Sequence, residues 1–201
     1  MKLYYSPGAC SLSPHIALRE IGAEFDLVKV DTKSKRMDDN RDFHEINPYG
    51  YVPALELDSG EILLEGPAIV QYIADLKPEA AIAPANGTLD RTRVQGALAL
   101  INSEIHKAVG ALFNPSLDDA GKQSAIAKIH ARLDVLDRQF GDAHFIANNR
   151  YSVADAYLFV VLRWLGFLKI DLAKWPALAA HNARIGERPA VQAALAAEGI
   201  S

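Results

Sequence analysis

Cysteine is the scarcest residue type in this sequence: Cys10 provides the one thiol among 201 residues. A lone cysteine cannot form a disulfide within the chain or a cysteine-based metal cluster. The histidines show no metal-ligand spacing such as H-E-x-x-H, so we predict that the protein holds no metal. Cys10 is therefore either an inert packed thiol or the centre of the chemistry.

Long apolar runs and an excess of basic residues are also absent. No run approaches the roughly 20 apolar residues of a membrane span, and the N-terminus lacks a basic segment followed by an apolar core. Lys and Arg number 21 against 25 Asp and Glu, a net charge of −4 that argues against binding to nucleic acid or membranes. We expect a cytoplasmic protein. Half of its residues are hydrophobic, as in globular proteins.

The first eighty residues mix strand and helix patterns. Short alternating or β-branched runs predict strands at residues 2–5, 25–30, 52–57 and 61–64. The last two strands flank a turn that ends at Gly60, which indicates a hairpin. Helical spacing predicts one helix over residues 13–21 and a second that begins at Gly66-Pro67, so the order is β-α-β followed by β-β-α.

The rest of the chain is predicted to be helical. Apolar residues recur at steps of three or four over residues 94–112, 120–140, 153–168 and 177–197. Ser152 and Asp155 form a capping-box pattern before the third stretch, whose nearly all-apolar sequence predicts a buried central helix. We predict a mixed α/β domain over residues 1–78, a linker over 79–87 and an all-helical domain over 88–201.

Cys10 lies between the first predicted strand and a helix that Ser11 or Ser13 can cap. A helix N-terminus carries about half a positive charge and free N–H donors, so we expect the thiol pKa to fall below its usual value of about 8.5. Ser13 stands where a second cysteine would complete a C-x-x-C pair. A dithiol cycle is thereby excluded, whereas a mixed disulfide with a small thiol is not.

Two further segments suit a peptide-like ligand. If the Val52-Pro53 bond is cis, the Val52 N–H and C=O are free to bind an extended ligand backbone; the alternative is an ordinary trans proline at a strand edge. Glu65 and Gly66 precede a helix, where a carboxylate beside free N–H donors can hold an amino-acid head group. The alternative for Glu65 is a glutamate that the helix dipole alone favours.

A polar face interrupts the first long helix of the second half. Asn102 and His106 are four residues apart, with Ser103 and Glu104 between them. Such a face either lines a cleft toward the first domain or is an exposed helix surface without function.

Together these segments resemble the glutathione transferases, and specifically the bacterial beta class. The resemblance covers nearly the whole chain and rests on the segments KLYYSPGACS at residues 2–11, NPYGYVPAL at 47–55, EGPAIVQY at 65–72 and SVAD at 152–155. The V-P and S-V-A-D segments are general to the superfamily, whereas Cys10 with His106-Lys107 is typical of the beta class.

The resemblance implies a thioredoxin-like α/β N-terminal domain with Val52-Pro53 cis, an all-α C-terminal domain, a homodimer, and glutathione bound between them as co-substrate. It implies that Ser103 and Glu104 approach glutathione from the partner subunit. The other residues that match glutathione contacts are Cys10, Lys35, Val52, Pro53, Glu65, Gly66, His106 and Lys107.

The charges of glutathione suit these residues. Glu65 with the Gly66 N–H matches the γ-glutamyl head group, and the Val52 main chain matches the cysteinyl amide. Lys35 and His106 match the glycine carboxylate.

Two positions depart from the family pattern. Tyr51 stands where lysine or glutamine is common, and Ala99 stands where relatives offer an asparagine from the neighbouring subunit, so neither contact is assumed. Tyr5 occupies the position of the catalytic tyrosine of other transferase classes, and we give it a supporting role at most.

The activity that the resemblance implies is conjugation of the glutathione thiol to electrophilic, mostly apolar substrates in detoxification, halogenated aromatics among them. Cys10 and His106 are the catalytic residues of this hypothesis, with Cys10 near the reacting sulfur. Two alternatives stay open: a glutathione-dependent disulfide reductase in which Cys10 forms a mixed disulfide, and a non-catalytic binding protein with this fold.

Overall fold

The strands pair in one five-stranded sheet in a computed structural model that describes residues 1–200. They are β1 (Lys2–Tyr5), β2 (Asp26–Asp31), β3 (Arg36–Met37), β4 (Ala54–Glu56) and β5 (Ile62–Leu64). The sheet order is β3-β2-β1-β4-β5, with β1 and β2 parallel and the other pairs antiparallel. Helix α1 (Leu12–Glu20) joins β1 to β2, and α2 (Gly66–Leu76) follows β5. This is the predicted β-α-β, β-β-α order with β3 added, a strand too short to give a sequence pattern.

The core on one face of this sheet positions the segment before β4. It consists of side chains from β1 to β4 and their connections: Tyr4, Val30, Met37, Phe43, Val52 and Ala54. The strand predicted over residues 52–57 begins only at Ala54. Pro53 has no N–H to give to a ladder, so the main chain of Val52 lies outside the sheet pairing.

The helices of the second region surround a buried central one. They are α3 (Leu89–Leu100), α4 (Lys107–Ala111), α5 (Asp119–Phe140), α6 (Val153–Phe167) and α7 (Pro176–Gly186), with a π-helical segment (Ile101–His106) between α3 and α4. Residues 152–162 at the start of α6 are all buried. The predicted capping box is present, with the Ser152 N–H donating to Asp155 Oδ2 at 2.8 Å. In residues 1–200 no helix is long and apolar enough to cross a membrane.

The last helix, α8 (Pro189–Glu198), packs against α1 rather than with the other helices. Two compact units result, one of Met1–Ala85 with the chain from Arg188 onward and one of Asn86–Glu187. The Glu198 carboxylate bonds His15 Nδ1 at 2.8 Å and accepts the Gly8 N–H at 2.9 Å. The sequence grouped this stretch with the helical domain as part of one run over residues 177–197, but Pro189 starts a new helix there.

Candidate active site

Cys10 lies in the connection from β1 to α1, and its thiol donates a hydrogen bond to the Val52 carbonyl oxygen, with Sγ and O 3.3 Å apart. The connection is fastened by Ser11, whose Oγ accepts the Ser6 N–H at 3.1 Å. Neither predicted cap forms: Ser11 makes no side-chain cap bond, and the buried Ser13 Oγ has no partner within residues 1–200. Ser11 is instead used to close the turn that carries Cys10.

The electrostatics of Cys10 contradict the predicted drop in its pKa. Burial raises the pKa of the thiol to about 11, and the nearby Glu65 carboxylate raises it further. The N–H groups of Cys10 and Ser11 face the sulfur and lower the pKa, but they only partly offset the cost of burying a thiolate. Cys10 does lie just before α1, as predicted, but desolvation has a larger effect on its pKa than the main-chain N–H groups there.

The turn before β4 is fastened by the side chain of Asn47. Val52-Pro53 is cis, as the resemblance implied, and both residues are buried. The Asn47 side chain donates to the Tyr51 carbonyl at 2.6 Å and accepts the Tyr49 N–H at 3.1 Å. These bonds fix the main chain immediately ahead of Val52.

Lys35 and Tyr51 flank the same segment. Lys35 Nζ donates to the Gly50 carbonyl at 2.7 Å, which brings a half-buried ammonium group to this loop. Tyr51 is 57% exposed and its ring stacks on that of Tyr49. Tyr51 therefore adds an exposed aromatic surface immediately before Val52.

Glu65 and Gly66 form the start of α2. Glu65 is the exposed N-cap residue and has φ 68°, in the region that favours glycine. Such a backbone conformation costs about 1–3 kcal/mol and occurs mainly where function or packing demands it. Its side chain makes no cap bond, so the carboxylate does not serve the helix.

Tyr5 is buried at the end of β1. Burial raises the pKa of its phenol, and the carboxylates of Glu198 and Asp38 raise it further. The hydroxyl therefore stays protonated at neutral pH.

The π-helical segment carries the other predicted site residues. Ser103 and Lys107 are exposed, as is Ala99 in the preceding turn. Glu104 forms an ion pair with Arg132 of the same chain, with its Oε2 2.7 Å from Arg132 Nε. A π-helical turn is wider than an α-helical one and is frequent at functional sites.

His106 is partly buried among aromatic rings. Its Nδ1 contacts the Tyr157 hydroxyl, and the Trp164 ring meets it edge-on with centroids 4.7 Å apart. Burial and the adjacent Lys107 lower the pKa of His106 to about 4. The imidazole is therefore neutral at pH 7, so a contact with a glycine carboxylate would be a hydrogen bond and not an ion pair.

The sequence analysis missed one residue beside His106 in the helical unit and one beside Val52 in the first unit. Tyr157 lies in the apolar run of α6, and Asn47 lies in the N-P turn ahead of β4. A buried tyrosine usually finds a hydrogen-bond partner, and that expectation was the signal available for Tyr157. In the described part of the chain, no group of three or more His, Cys, Asp or Glu side chains could hold a metal ion.

Known proteins resemble this chain over its full length. Family models of the glutathione S-transferase N-terminal and C-terminal domains match residues 1–75 and 100–189. Glutathione S-transferase GstA of Escherichia coli O157:H7 is 42% identical, with 100% of each chain covered. The solved bacterial beta class glutathione S-transferase of Sphingomonas chungbukensis is 51% identical, with a TM-score of 0.97 and 100% of each chain covered. A sphingomonad glutathione S-transferase solved with glutathione is 50% identical, with a TM-score of 0.96 and the same coverage.

Proposed function

Since this chain belongs to the glutathione S-transferase family and to its bacterial beta class, we propose that it binds glutathione and joins the glutathione sulfur to electrophilic, mostly apolar substrates. One observation carries the proposal: the Cys10 sulfur is 3.3 Å from the carbonyl oxygen of Val52. A ligand backbone paired with Val52 would bring its own cysteinyl sulfur to the Cys10 loop.

The first unit offers a group for each charged end of glutathione. The unengaged carboxylate of Glu65 and the Gly66 N–H suit the γ-glutamyl ammonium and carboxylate. The Val52 main chain, packed beside Pro53, suits the cysteinyl amide. Lys35 uses one of its three donors on the Gly50 carbonyl, so two remain for the glycine carboxylate.

In the proposed reaction the nucleophile is the sulfur of glutathione. The thiol loses its proton, the sulfur electron pair forms the new bond to carbon, and a leaving halide departs with the electrons of its own bond. The thiol proton passes to solvent, and His106, neutral at pH 7, keeps its predicted role as a hydrogen-bond partner of the glycine carboxylate.

Cys10 serves this reaction as a thiol. With its pKa raised to about 11, the Cys10 thiol stays protonated at pH 7. A protonated sulfur can donate a hydrogen bond to the glutathione sulfur, but it is a poor nucleophile toward a disulfide.

Titration calorimetry and turnover of a chloronitrobenzene-type electrophile test the proposal. Glu65→Gln removes the carboxylate charge, so glutathione binding should weaken by about ten- to a hundredfold, equivalent to about 1.5–3 kcal/mol for a charge-assisted hydrogen bond. Glu61→Gln is the matched control, because Glu61 is also exposed and lies four residues away. No binding of wild-type protein at millimolar glutathione would refute the proposal.

The disulfide reductase is the second candidate function, and the position of Cys10 between β1 and α1 is the observation that favours it. Mass spectrometry after treatment with oxidised glutathione separates the two functions. One glutathione bound to Cys10 together with weak conjugation would favour the reductase. Binding of apolar ligands without either turnover would favour the non-catalytic protein.

We also propose a cytoplasmic homodimer that acts in detoxification, in which Ser103, Glu104 and Lys107 contribute to glutathione contacts. This part rests on the resemblance to the family. Light scattering that gives the mass of a single chain at micromolar concentration would contradict the dimer.

A further inference from the structure

Asn86 and Gly87 form an asparagine-glycine pair at the start of the second unit, directly after the first unit ends at Ala85. Both residues are exposed and lie in a turn. Thr88 follows them as the N-cap of α3, and its Oγ1 accepts the Arg91 N–H at 3.1 Å. The pair is therefore an exposed turn immediately ahead of a capped helix.

An asparagine that precedes glycine can react with its own main chain. The main-chain nitrogen of the next residue gives up its proton and attacks the side-chain Cγ, and ammonia leaves as a five-membered succinimide ring closes. Water then opens the ring at one of its two carbonyls. The product is either aspartate or isoaspartate, in which the main chain runs through the side-chain carbon. One water is taken up and one ammonia is released.

Gly87 meets the structural conditions for this reaction. Its N–H makes no hydrogen bond within residues 1–200, so no carbonyl holds the nitrogen that would attack. Glycine also has no Cβ to obstruct the approach of that nitrogen to Asn86 Cγ. A Cβ built on Gly87 would meet nothing within 4 Å, so there is open space around the pair.

Four other asparagines are protected by the main chain that follows them. Asn47 and Asn114 each precede a proline, which has no N–H to give up. Asn102 and Asn182 lie within helical segments, where the main-chain N–H groups are paired with carbonyls of the preceding turn. In all four the attacking nitrogen is either substituted or engaged.

The remaining asparagines lie in turns but are held by hydrogen bonds. The main-chain nitrogen after Asn40 donates to the Asp39 carboxylate at 3.0 Å, and the one after Asn149 donates to a main-chain carbonyl at 3.2 Å. The side-chain amide of Asn148 donates to a main-chain carbonyl at 2.9 Å, and its Oδ1 is buried. These contacts distinguish exposed turns that resist the reaction from the one at Asn86.

We propose that Asn86 is a site of spontaneous deamidation in the folded protein, and that ageing molecules carry aspartate or isoaspartate at this position. The change replaces a neutral amide by a carboxylate and takes the formal net charge from −4 to −5. The new carboxylate lies two residues before the N-cap Thr88, at the end of α3 where a negative charge is favourable. The modified protein therefore stays folded and accumulates, and its isoaspartate is a substrate for enzymes that methylate isoaspartyl carboxylates.

Peptide mapping of the full-length protein after incubation in mildly alkaline buffer tests the proposal. The peptide that contains Asn86 should gain about 1 Da, and purified isoaspartyl methyltransferase should methylate it. Its rate of change in folded protein should lie within about threefold of the rate in urea-unfolded protein, because the fold does not hold the Gly87 nitrogen. The peptides that contain Asn40 and Asn149 are internal controls, which should change more slowly in folded than in unfolded protein.

Asn86→Gln is the matched control variant. It keeps a side-chain amide but would have to close a six-membered ring, so the acidic species that isoelectric focusing resolves in aged wild-type protein should be absent. Asn86→Asp marks where that species should focus. A rate more than about tenfold slower in folded than in unfolded protein would contradict the proposal. Persistence of the acidic species in Asn86→Gln would also contradict it, and neither result depends on glutathione binding or turnover.

Discussion

The Cys10 loop of the first unit and the His106 segment of the helical unit carry the two residues that we propose to be catalytic. Burial shifts the two pKa values in opposite directions: it raises the pKa of Cys10 to about 11 and lowers the pKa of His106 to about 4. The cause is the same, because a poorly hydrated environment disfavours the thiolate and the imidazolium alike. Both groups are neutral at pH 7.

The two regions differ in how they hold these groups. Cys10 has one weak bond, from its sulfur to a main-chain carbonyl, whereas His106 is fixed by a tyrosine hydroxyl and two aromatic rings. The thiol can therefore exchange its partner when a ligand arrives, and the imidazole is oriented beforehand. Of the other residues proposed to contact glutathione, Glu65 is exposed and Lys35 is half-buried.

In the helical unit, the largest loss of stability is expected from a substitution of Asp155. Its carboxylate accepts from the N–H groups of Ser152 and Ile146, both at 2.8 Å, and bonds His181 Nε2 at 3.1 Å. Asp155→Ala leaves these buried groups without a partner, so the free energy of unfolding should fall by about 3–5 kcal/mol. Denaturant unfolding measures this loss.

Asp171→Ala is the control for that change. Asp171 is an exposed carboxylate of the same unit that accepts one N–H, from Ala173 at 2.9 Å, so its loss should cost about 1 kcal/mol or less. Equal effects of the two substitutions would show that the buried network at the start of α6 contributes nothing special to stability.

Membership of the family and the fold class were predicted from the sequence and are confirmed. They depend on local patterns, such as the Ser152 and Asp155 capping box and the hairpin around Gly60, which are readable along the chain. The pKa of Cys10 was predicted wrongly, because burial is set by distant segments that the spacing around Cys10 does not reveal. Tyr157 was missed for the same reason: its bond to His106 crosses 51 positions of the sequence.

The opposite pKa shifts predict a window of pH in which the folded state is most stable. The ordinary pKa values are 9.0 for cysteine and 6.5 for histidine, and in the folded protein the pKa of Cys10 is raised and that of His106 is lowered. As pH rises from about 9 to about 11, the unfolded chain loses the Cys10 proton first, so stability falls. As pH drops from about 6.5 to about 4, the unfolded chain gains the His106 proton first, so stability falls again.

One variant tests the alkaline limit of this pH window, and another tests the acidic limit. Relative to wild type, Cys10→Ala should lose less stability above pH 9, and His106→Gln should lose less below pH 6.5. Denaturant unfolding followed from pH 4 to pH 11 provides the measurement. A constant difference between wild type and either variant across its range would mean that the corresponding group keeps its ordinary pKa in the folded protein.

The smallest effect is expected for glutathione binding by Cys10→Ala. This variant tests whether the Cys10 thiol only exchanges its hydrogen-bond partner when glutathione binds. The substitution leaves Val52, Glu65 and Lys35 in place and removes only a weak S–H donor, so affinity should change by less than about threefold. Conjugation should fall only in part, because the nucleophile is the ligand's own sulfur, and any mixed disulfide should vanish, because the chain has no other cysteine. Calorimetry, turnover and mass spectrometry measure the three. If Cys10→Ala abolished binding while His106→Gln changed neither binding nor turnover, the roles given to the two regions would have to be exchanged.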